Sequence, residues 1–533
     1  MSAYTGQPPL IQALLRPEAY PHPVQAVKLI ETHISWVLLT GDFAYKLKKP
    51  INLGFVQATS LQQRLHYCHE EVRLNRRLAT DLYQGVVAVV GPVERARVLD
   101  SPNPPQGQSM LEAAVKMRQF PPDQLLSAAL AHQAVRAEAL TNLAWTLGRF
   151  HQQAPCASPE QPFGTAAQVV EPVTTNLAVL NRLVSDPEQR EQLEQHRRWT
   201  HAQQHNLWSR FEARHEEGEI RECHGDLHCG NIRLTQQGEL EVFDAIDFNP
   251  NLRWIDPISE MAFLVMDLEI HDARSLAITT LNTWLECTGA YAGMDLWPWY
   301  HAYRAMVRAK VSALQMEQST TASTKQRLGE ELALYLQTAF QDEAQPAGGL
   351  VLMHGLSGSG KSTLSAQLCT SLEAVRIRSD RERCRAFEPS GVTPARFSGD
   401  PYRAEISRWL FDQQLPKLTE RCLMSGYAVI VDATFLRRRE RQTMLDLAAR
   451  LHRPTAIVHC CCSDITAQSR LSKRAQRGED PSEADFKVRQ QQHNWLEPLT
   501  ADERLRTVTV NESTPLAAVQ TAVQHLLRSE RRA

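Results

Sequence analysis

The stretch Gly355-Leu-Ser-Gly-Ser-Gly-Lys361-Ser362 has the spacing G-x-x-x-x-G-K-[ST] of a phosphate-binding P-loop. It follows the apolar run Leu350-Val-Leu-Met353, which predicts a buried strand, and it precedes Thr363-Leu-Ser-Ala-Gln-Leu368, which predicts a helix start. Glycines let backbone N–H groups close around a polyphosphate, and the helix N-terminus adds positive potential. The context therefore predicts a P-loop domain with a three-layer α/β/α fold that binds ATP.

Two side chains of this loop have distinct expected roles. Lys361 is expected to bridge the β- and γ-phosphates, and Ser362 to hold Mg²⁺. The other loop positions expected to contact the nucleotide are Gly355, Ser357, Gly358, Ser359, Gly360 and Thr363.

Acids and arginines downstream complete the predicted site. Asp380 ends the run Ala374-Val-Arg-Ile-Arg-Ser-Asp380, and Asp432 ends Tyr427-Ala-Val-Ile-Val-Asp432, as an acid ends the metal-binding strand of P-loop proteins. Parallel sheets place ligand-binding groups at the carboxyl ends of strands, so both acids are expected in the cleft, with Asp432 near Mg²⁺. Residues 465–492 predict a helical lid whose arginines neutralise charge on the transferred phosphate. The candidate arginines, at helical spacing, are Arg470, Arg474 and Arg477.

A second chemical motif lies upstream, in Cys223-His-Gly-Asp226-Leu-His-Cys-Gly-Asn231. Asp226 and Asn231 have the five-residue separation of a kinase catalytic loop, in which the aspartate serves as base and the asparagine as metal ligand. The strand-like run from Leu240 that follows contains Asp244 and Asp247, and a carboxylate there can hold Mg²⁺.

The amino-terminal part has the pattern of a strand–turn–strand unit followed by a helix. On the predicted strand Phe43-Ala-Tyr-Lys-Leu-Lys48, alternation places Lys46 and Lys48 on one face. Glu71 lies on a predicted helix from Leu61 and can pair with a strand lysine, as in a kinase N-lobe. The alternative for the lysines alone is a solvated strand face.

Residues 31–270 resemble the aminoglycoside phosphotransferase family, whose members are small-molecule kinases with a bilobal, protein-kinase-like fold. The resemblance implies Asp226 as catalytic base, and Asn231 and Asp244 as Mg²⁺ ligands. Asp244 is favoured over Asp247 because it lies 13 residues after Asn231, the usual interval.

The same resemblance suggests Lys46 and Glu71 as the pair that orients ATP, with Lys48 and Glu70 as rivals, and Asp256 as a structural acid that steadies the loop. The sequence departs from protein kinases at Gly225, where they keep arginine, and it has no G-x-G-x-x-G over the nucleotide.

The carboxyl-terminal part is similar to the P-loop kinase group that includes polynucleotide kinase, gluconate kinase and the zeta toxins, whose domains are often labelled AAA-type. The similarity implies that Asp380 is the substrate-side base, with Arg383 and Arg378 beside the acceptor. The whole chain resembles a bacterial group of proteins that pair the two domains.

Bulk composition limits the class of protein. The chain has 533 residues, 43% of them hydrophobic and 22% charged, which is typical of a globular protein with more than one domain. No run of 18 apolar residues and no secretory signal pattern are visible, and the 11 cysteines are scattered without a C-x-x-C pair. These features predict a cytoplasmic protein with no membrane association.

The charge distribution leaves another class of acceptor open. Residues 350–533 carry 28 Lys or Arg against 21 Asp or Glu, whereas the whole chain has a net charge of −2. A basic domain can contact nucleic acid, but phosphate handling uses the same charges. A nucleic-acid-end or nucleotide-sugar kinase of toxin type, and an ATP sensor with one inactive module, are therefore the alternatives.

The prediction is a multidomain α/β and α+β protein. Residues 1–340 form the kinase-like domain (N-lobe about 30–120, C-lobe about 121–340), residues 341–349 a linker, and residues 350–533 the P-loop domain. The expected activity is transfer of the ATP γ-phosphate to hydroxyl groups of small polar molecules, with ATP and Mg²⁺ as cofactors. The sequence does not indicate the acceptors or the oligomeric state.

Overall fold

The computed structural model describes residues 6–54, 56–341, 348–388, 395–477 and 486–529. The chain divides into two compact units. The first comprises Met1–Ala139, Pro155–Gly164 and Gly218–Glu260; the second comprises Leu140–Ala154, Thr165–Glu217 and Met261–Ala533. The predicted linker 341–349 lies mostly outside the described residues, and the predicted domain limits remain predictions.

The first unit is built on a six-stranded antiparallel sheet in the order β1-β2-β3-β6-β4-β5. Its strands are β1 (Lys28–Glu31), β2 (Ser35–Leu39), β3 (Phe43–Lys48), β4 (Tyr83–Val90), β5 (Arg97–Val98) and β6 (Met110–Arg118). Its helices are α1 (Pro9–Leu14), α2 (Leu61–Asn75) and α3 (Leu126–Ala131). The short strands β7 (Arg221–Glu222), β8 (Ile232–Leu234), β9 (Leu240–Val242) and β10 (Trp254–Ile255) form two small antiparallel sheets.

The two faces of the large sheet have different partners. Tyr45 and Leu47 pack in a core with α1, whereas Val86 and Val115 pack with α2 on the opposite face. Alternation along β3 therefore turns the intervening Lys46 toward α2. The sheet thus brings the strand lysines to the helix that carries Glu71.

Helix α2 has clear local start signals. Ser60 Oγ accepts a hydrogen bond from the Gln63 N–H at 3.2 Å, and Gln63 Oε1 accepts one from the Ser60 N–H at 3.1 Å, which is a capping box. The helix ends at Asn75, because the chain then turns to bury Ala79 and Leu82 beside β4.

The second unit contains the later helices and a parallel sheet. Helices wholly or mostly within it are α4 (Ala137–Gln153), α5 (Ala166–Leu183), α6 (Pro187–Glu216), α7 (Pro257–Ile270), α8 (Arg274–Thr288), α9 (Trp297–Gln318) and α10 (Ala322–Gln341). None of the helices in the described ranges is long and apolar enough to cross a membrane.

The parallel sheet has five strands in the order β12-β13-β11-β14-β15. They are β11 (Leu350–His354), β12 (Ala374–Arg378), β13 (Ala428–Asp432), β14 (Thr455–Cys460) and β15 (Thr507–Val510). The surrounding helices are α11 (Lys361–Leu372), α12 (Ser379–Arg385), α13 (Ala404–Trp409), α14 (Leu415–Met424), α15 (Arg438–Arg450), α16 (Asp464–Arg477), α17 (Phe486–His493), α18 (Ala501–Leu505) and α19 (Leu516–Ser529).

The central strand β11 is buried throughout, as a parallel strand covered on both faces must be. Val351 and Met353 pack against α11 and α19, and α14 packs against β12 and β13. Because the strands are parallel, the ends of β11, β12 and β13 lie at one edge of the sheet. That edge carries the P-loop, Asp380 and Asp432.

Candidate active sites

The P-loop connects the end of β11 to the first turn of α11, and its glycines have backbone conformations that other residues rarely adopt. Gly355 has φ +133°, and a Cβ there would lie 2.4 Å from the Cys460 carbonyl oxygen. Gly358 and Gly360 have φ of +79° and +93°. These positions therefore require glycine for the loop to close as it does.

Lys361 is buried at the helix start, and its Nζ donates to the Leu356 carbonyl oxygen at 2.9 Å. Burial lowers the pKa of Lys361, and the nearby carboxylate of Asp432 offsets this only in part. Among the described residues no carboxylate forms an ion pair with Lys361, so its buried ammonium group is well suited to receive an anion within the loop.

A cavity of about 1180 Å³ opens beside the P-loop. Its lining includes the predicted carboxylates Asp380 and Asp432 together with Arg470. It also includes Arg378, Arg383 and the loop residues Ser357, Gly358, Ser359, Gly360, Lys361, Ser362 and Thr363. The fold thus gathers most of the residues predicted for this site around one space.

Asp432 lies at the end of β13 and is buried. Its Oδ2 accepts a hydrogen bond from Ser365 Oγ at 3.0 Å. Ser365 is one turn along α11 from Ser362, so the hydroxyl fixes the carboxylate next to the loop.

The helices of the predicted lid contribute Arg489 and Gln492, which the sequence analysis did not single out, beside the predicted Arg470. Buried Arg489 donates from Nη1 to the Ser357 carbonyl oxygen at 2.7 Å. Gln492 accepts from the Ser357 N–H at 2.8 Å and donates to Ser357 Oγ at 3.0 Å. Arg470 donates to the Gly358 carbonyl oxygen at 3.4 Å. The side chains of Arg474 and Arg477 lie outside the described residues.

In the first unit, Glu71 is fully buried between two lysines. Lys46 Nζ lies 2.9 Å from Glu71 Oε1, and Lys48 Nζ lies 2.5 Å from Glu71 Oε2. Each lysine also contacts an acid of the later segment: Lys46 contacts Asp244 at 2.5 Å and Lys48 contacts Asp247 at 2.7 Å. Glu71 therefore serves both lysines.

The rival residues have separable environments. Glu70 pairs with Arg73 at 2.8 Å and with Arg253 at 3.4 Å, so it contacts arginines where Glu71 contacts lysines. The Asp244 side chain is 45% exposed, whereas that of Asp247 is 4% exposed. Asp244 therefore has the more accessible carboxylate.

The electrostatics of this cluster follow from burial and pairing. Burial lowers the pKa of Lys46, but the carboxylates of Asp244 and Glu71 outweigh it and raise that pKa well above its usual value. Burial raises the pKa of Glu71, but the two lysines outweigh it and the net shift is downward. For Asp247 burial dominates, and its pKa is raised despite Lys48.

The loop containing Asp226 follows β7. Asn231 Nδ2 donates to the Asp226 carbonyl oxygen at 2.9 Å and to its Oδ2 at 3.0 Å, and His228 Nε2 lies 3.5 Å from the same carboxylate oxygen. Gly225 has φ +91°, and a Cβ there would lie 2.7 Å from the Leu252 carbonyl oxygen. This close approach explains why a side chain such as arginine does not fit at this position.

Two buried residues that the sequence analysis did not single out hold this loop. Glu260 accepts hydrogen bonds from the Gly225 N–H at 2.6 Å and the His224 N–H at 3.1 Å. His224 Nε2 lies 2.9 Å from the Phe243 carbonyl oxygen, and its Nδ1 accepts from the Asp226 N–H at 3.3 Å. Burial lowers the pKa of His224, although Glu260, Asp226 and Asp244 act to raise it. One neutral imidazole thus connects the backbones that carry Asp226 and Asp244.

Asp244 itself has left-handed backbone, with φ +65°. Its N–H donates to Tyr83 Oη at 3.1 Å, and the next N–H, of Ala245, donates to Asn75 Oδ1 at 2.9 Å. Both side chains are buried, so they hold an unusual backbone conformation at the accessible acid. Asp256, in contrast, accepts from the Ile258 N–H at 2.9 Å near the start of α7.

Comparison with known proteins agrees with this architecture. Residues 58–297 match a family described as the phosphotransferase enzyme family, and residues 350–499 match a family described as an AAA domain. The chain therefore carries two kinase-like phosphotransferase domains, one of the aminoglycoside phosphotransferase type and one of the P-loop type. The predicted pairing and fold class are confirmed.

Similar proteins include an uncharacterized protein of Mycobacterium tuberculosis strain ATCC 25618 / H37Rv and one of Mycobacterium bovis. Each is 29% identical over 485 residues, which cover 89% of this chain and 92% of the relative.

Solved structures similar to parts of the chain include two kinases. A gluconokinase from Sinorhizobium meliloti is 23% identical, with 35% of this chain and 93% of that chain covered and a TM-score of 0.25. A choline/ethanolamine kinase family protein from Mesorhizobium loti is 11% identical, with 62% and 98% covered and a TM-score of 0.36.

Proposed function

We propose that the chain is a bifunctional, ATP- and Mg²⁺-dependent kinase that phosphorylates hydroxyl groups of small polar molecules at two separate sites. The carrying observation is that each unit independently assembles a buried lysine, a carboxylate suited to bind metal and a second carboxylate suited to act as base. Phosphoryl transfer needs mainly positioning and charge neutralisation, which such a set supplies. A cytoplasmic location is part of the proposal, since all cysteines are free thiols.

The donor atoms fit Mg²⁺, which prefers oxygen ligands. In the first unit the candidates are the exposed carboxylate of Asp244 and the amide oxygen of Asn231, whose nitrogen is used by Asp226. In the second unit they are the hydroxyl of Ser362 and the carboxylate of Asp432, directly or through water. When bound, Mg²⁺ neutralises charge on the phosphate oxygens.

In the first unit, Asp226 accepts the proton of the acceptor hydroxyl as the oxygen attacks the γ-phosphorus. Asn231 and His228 hold the carboxylate in place, and Glu260 fixes the preceding backbone. Lys46 orients the α- and β-phosphates while Glu71 holds its ammonium group. The bond from the γ-phosphorus to the bridging oxygen breaks, and ADP leaves.

In the second unit, Asp380 has the equivalent role on the acceptor side of the cavity. The P-loop N–H groups and Lys361 bind the β- and γ-phosphates, and Arg470 approaches from the lid. Arg383 donates to the Pro401 carbonyl oxygen at 2.9 Å, which orients its guanidinium within the cavity wall.

The test is transfer of labelled γ-phosphate from ATP to a metabolite extract by the wild-type chain, Asp226→Ala and Lys361→Ala. Each substitution is expected to remove a different labelled product, with a rate loss on the order of 10³ because a base or a phosphate ligand is lost. The matched controls are Asp123→Ala and Lys417→Ala, both at exposed positions.

The outcomes separate the proposal from its alternatives. If neither substitution changes any product, both site assignments are wrong. If Asp226→Ala leaves every product but alters the ATP dependence, the first unit is a nucleotide sensor. Labelling of added oligonucleotides that declines steeply with salt would identify a nucleic-acid acceptor instead.

A further inference from the structure

Helix α8 lies against the edge of the parallel sheet, within the second unit. Strand β12 is the edge strand, and Asn282 of α8 binds its backbone with both ends of the amide. Asn282 Nδ2 donates to the Ala374 carbonyl oxygen at 2.9 Å, and its Oδ1 accepts from the Arg376 N–H at 2.7 Å. The helix thereby satisfies part of a sheet edge that would otherwise be unpaired.

Glu286 lies one turn further along α8 and binds two arginines of the same strand. Its Oε2 accepts from Arg376 Nη2 at 3.2 Å, and its Oε1 accepts from Arg378 Nη1 at 2.6 Å. The three side chains are 14–15% exposed, so solvent screens these charges only weakly. Removal of the central carboxylate would leave two adjacent cations without their shared partner.

The contacts continue from Arg376 into the P-loop site. Arg376 Nη1 donates to the Ser362 carbonyl oxygen at 3.2 Å and approaches Ser365 Oγ at 3.5 Å. Ser365 Oγ in turn donates to Asp432 Oδ2 at 3.0 Å. Arg378 lines the cavity with Asp380. A chain of polar contacts therefore runs from α8 to both candidate Mg²⁺ ligands.

We propose that Glu286 is a positioning residue for the phosphate and metal end of the P-loop site. It acts through Arg376 and Ser365 on Ser362 and Asp432, and through Arg378 on the acceptor wall. Glu286 lies in the segment 58–297, which matches the phosphotransferase family, whereas the P-loop site lies in the segment 350–499, which matches the AAA family. A residue of the first segment would thus support the site of the second. The inference rests on the proposed function of the P-loop site.

The test measures ATP affinity of the full chain in a Lys46→Met background, chosen to weaken ATP binding at the first site. A fluorescent ATP analogue is titrated with Mg²⁺ in excess and again with EDTA. For Glu286→Gln, the gain in affinity that Mg²⁺ confers is expected to fall about tenfold, since a charged hydrogen-bond network at the metal ligands is lost. Affinity in EDTA is expected to change little.

Arg274→Gln is the matched control. Arg274 also lies on α8 and pairs at 3.8 Å with Glu373, just before β12, but both side chains are more than half exposed and distant in sequence from the loop. Arg274→Gln removes a contact between the same helix and the segment before β12 but leaves Glu286, Arg376 and Arg378 unchanged. The gain in ATP affinity that Mg²⁺ confers is therefore expected to equal that of the Lys46→Met protein.

Arg376→Lys is the second variant, for use if Glu286→Gln fails to fold. It keeps a positive charge beside Glu286, so it is expected to disturb packing less. A single ammonium group cannot bridge Glu286 and Ser362 as the guanidinium does, so a loss of Mg²⁺ gain is expected again. An unchanged gain in folded Glu286→Gln or Arg376→Lys protein, or an equal loss in Arg274→Gln, would overturn the inference. If Lys361→Ala in the same background retains ATP affinity, the proposed P-loop function fails instead.

Discussion

The two candidate sites hold the lysines proposed to bind phosphate in opposite ways. In the first unit Lys46 is surrounded by side-chain carboxylates, and in the second Lys361 donates to a backbone carbonyl inside a glycine loop. The pKa of Lys46 is raised by its acids, whereas the pKa of Lys361 is lowered by burial. The first site is therefore neutralised by its own side chains, while the second retains a cation that an incoming phosphate can satisfy.

This difference has a mechanistic consequence. At the first site, Asp244 is both the contact of Lys46 and the accessible candidate metal ligand. Binding of metal and phosphate there must exchange one charge partner for another. At the second site, phosphate takes the place of the Leu356 carbonyl oxygen as the partner of Lys361. Exchange of ion-pair partners is thus expected at Lys46, whereas Lys361 exchanges a backbone carbonyl oxygen for phosphate.

The largest expected effect is a loss of stability of the first unit, but not of the second, in Glu71→Gln. The substitution leaves two buried lysines facing each other without their shared carboxylate, and loss of one partner from a buried ion pair costs about 3 kcal/mol or more. Hydrogen exchange of the β3 amides is expected to accelerate accordingly, while exchange of β11 stays the same.

Glu70→Gln is the control for this prediction, because Glu70 is the adjacent acid but pairs with Arg73 and Arg253. Its closer partner, Arg73, is 47% exposed, and the contact with Arg253 is longer, at 3.4 Å, so we expect a loss of about 1 kcal/mol or less. If both substitutions accelerated hydrogen exchange of β3 equally, the shared contact of Glu71 with Lys46 and Lys48 would not be a major source of stability in the first unit.

The same contrast explains what the sequence could reveal. The P-loop was predictable because glycines, lysine and serine are neighbours in the chain and the geometry is local. The pairing of Lys46 with Glu71 was predicted, but the sequence did not show that Lys48 shares that carboxylate, because strand and helix meet only in the tertiary structure.

The supporting residues were beyond the reach of sequence patterns. Glu260, His224 and Asn75 form hydrogen bonds with backbone groups that no sequence motif identifies. Arg489 and Gln492 lie in a polar sequence that is typical of a solvent-exposed helix, although both are buried against the P-loop. Each becomes recognisable only when its buried hydrogen-bond partner is known. Spacing therefore indicated candidate reactive groups but not the side chains that hold them.

A smaller effect is expected from Asn75→Ala. The substitution removes the acceptor of the Ala245 N–H, which costs the unsatisfied donor about 1–3 kcal/mol and relaxes the left-handed backbone at Asp244. The Mg²⁺ concentration for half-maximal transfer at the first site is expected to rise about tenfold, since 1.4 kcal/mol corresponds to one decade. The measurement is a Mg²⁺ titration of the Asp226-dependent product.

Tyr83→Phe, which removes the acceptor of the Asp244 N–H, should shift the titration in the same direction. Asn103→Ala, at an exposed position, is the control. A fall in maximal rate without a shift in Mg²⁺ dependence would show that Asn75 and Tyr83 stabilise the fold but do not position Asp244.

The smallest expected effect is a difference in chemical reactivity between the two lysines. Lys46 is 9% and Lys361 8% exposed, so similar access makes them a matched pair. Acetic anhydride modifies only the neutral amine; because the pKa of Lys361 is lowered and that of Lys46 is raised, Lys361 should react a few-fold faster between pH 8 and 9. Peptide mass spectrometry, with exposed Lys325 as internal standard, gives both rates. Added ATP and Mg²⁺ should abolish the advantage of Lys361, since phosphate both covers the amine and favours its charged form. Faster modification of Lys46 would reverse the contrast between a site neutralised by its own carboxylates and one that retains a cation for phosphate.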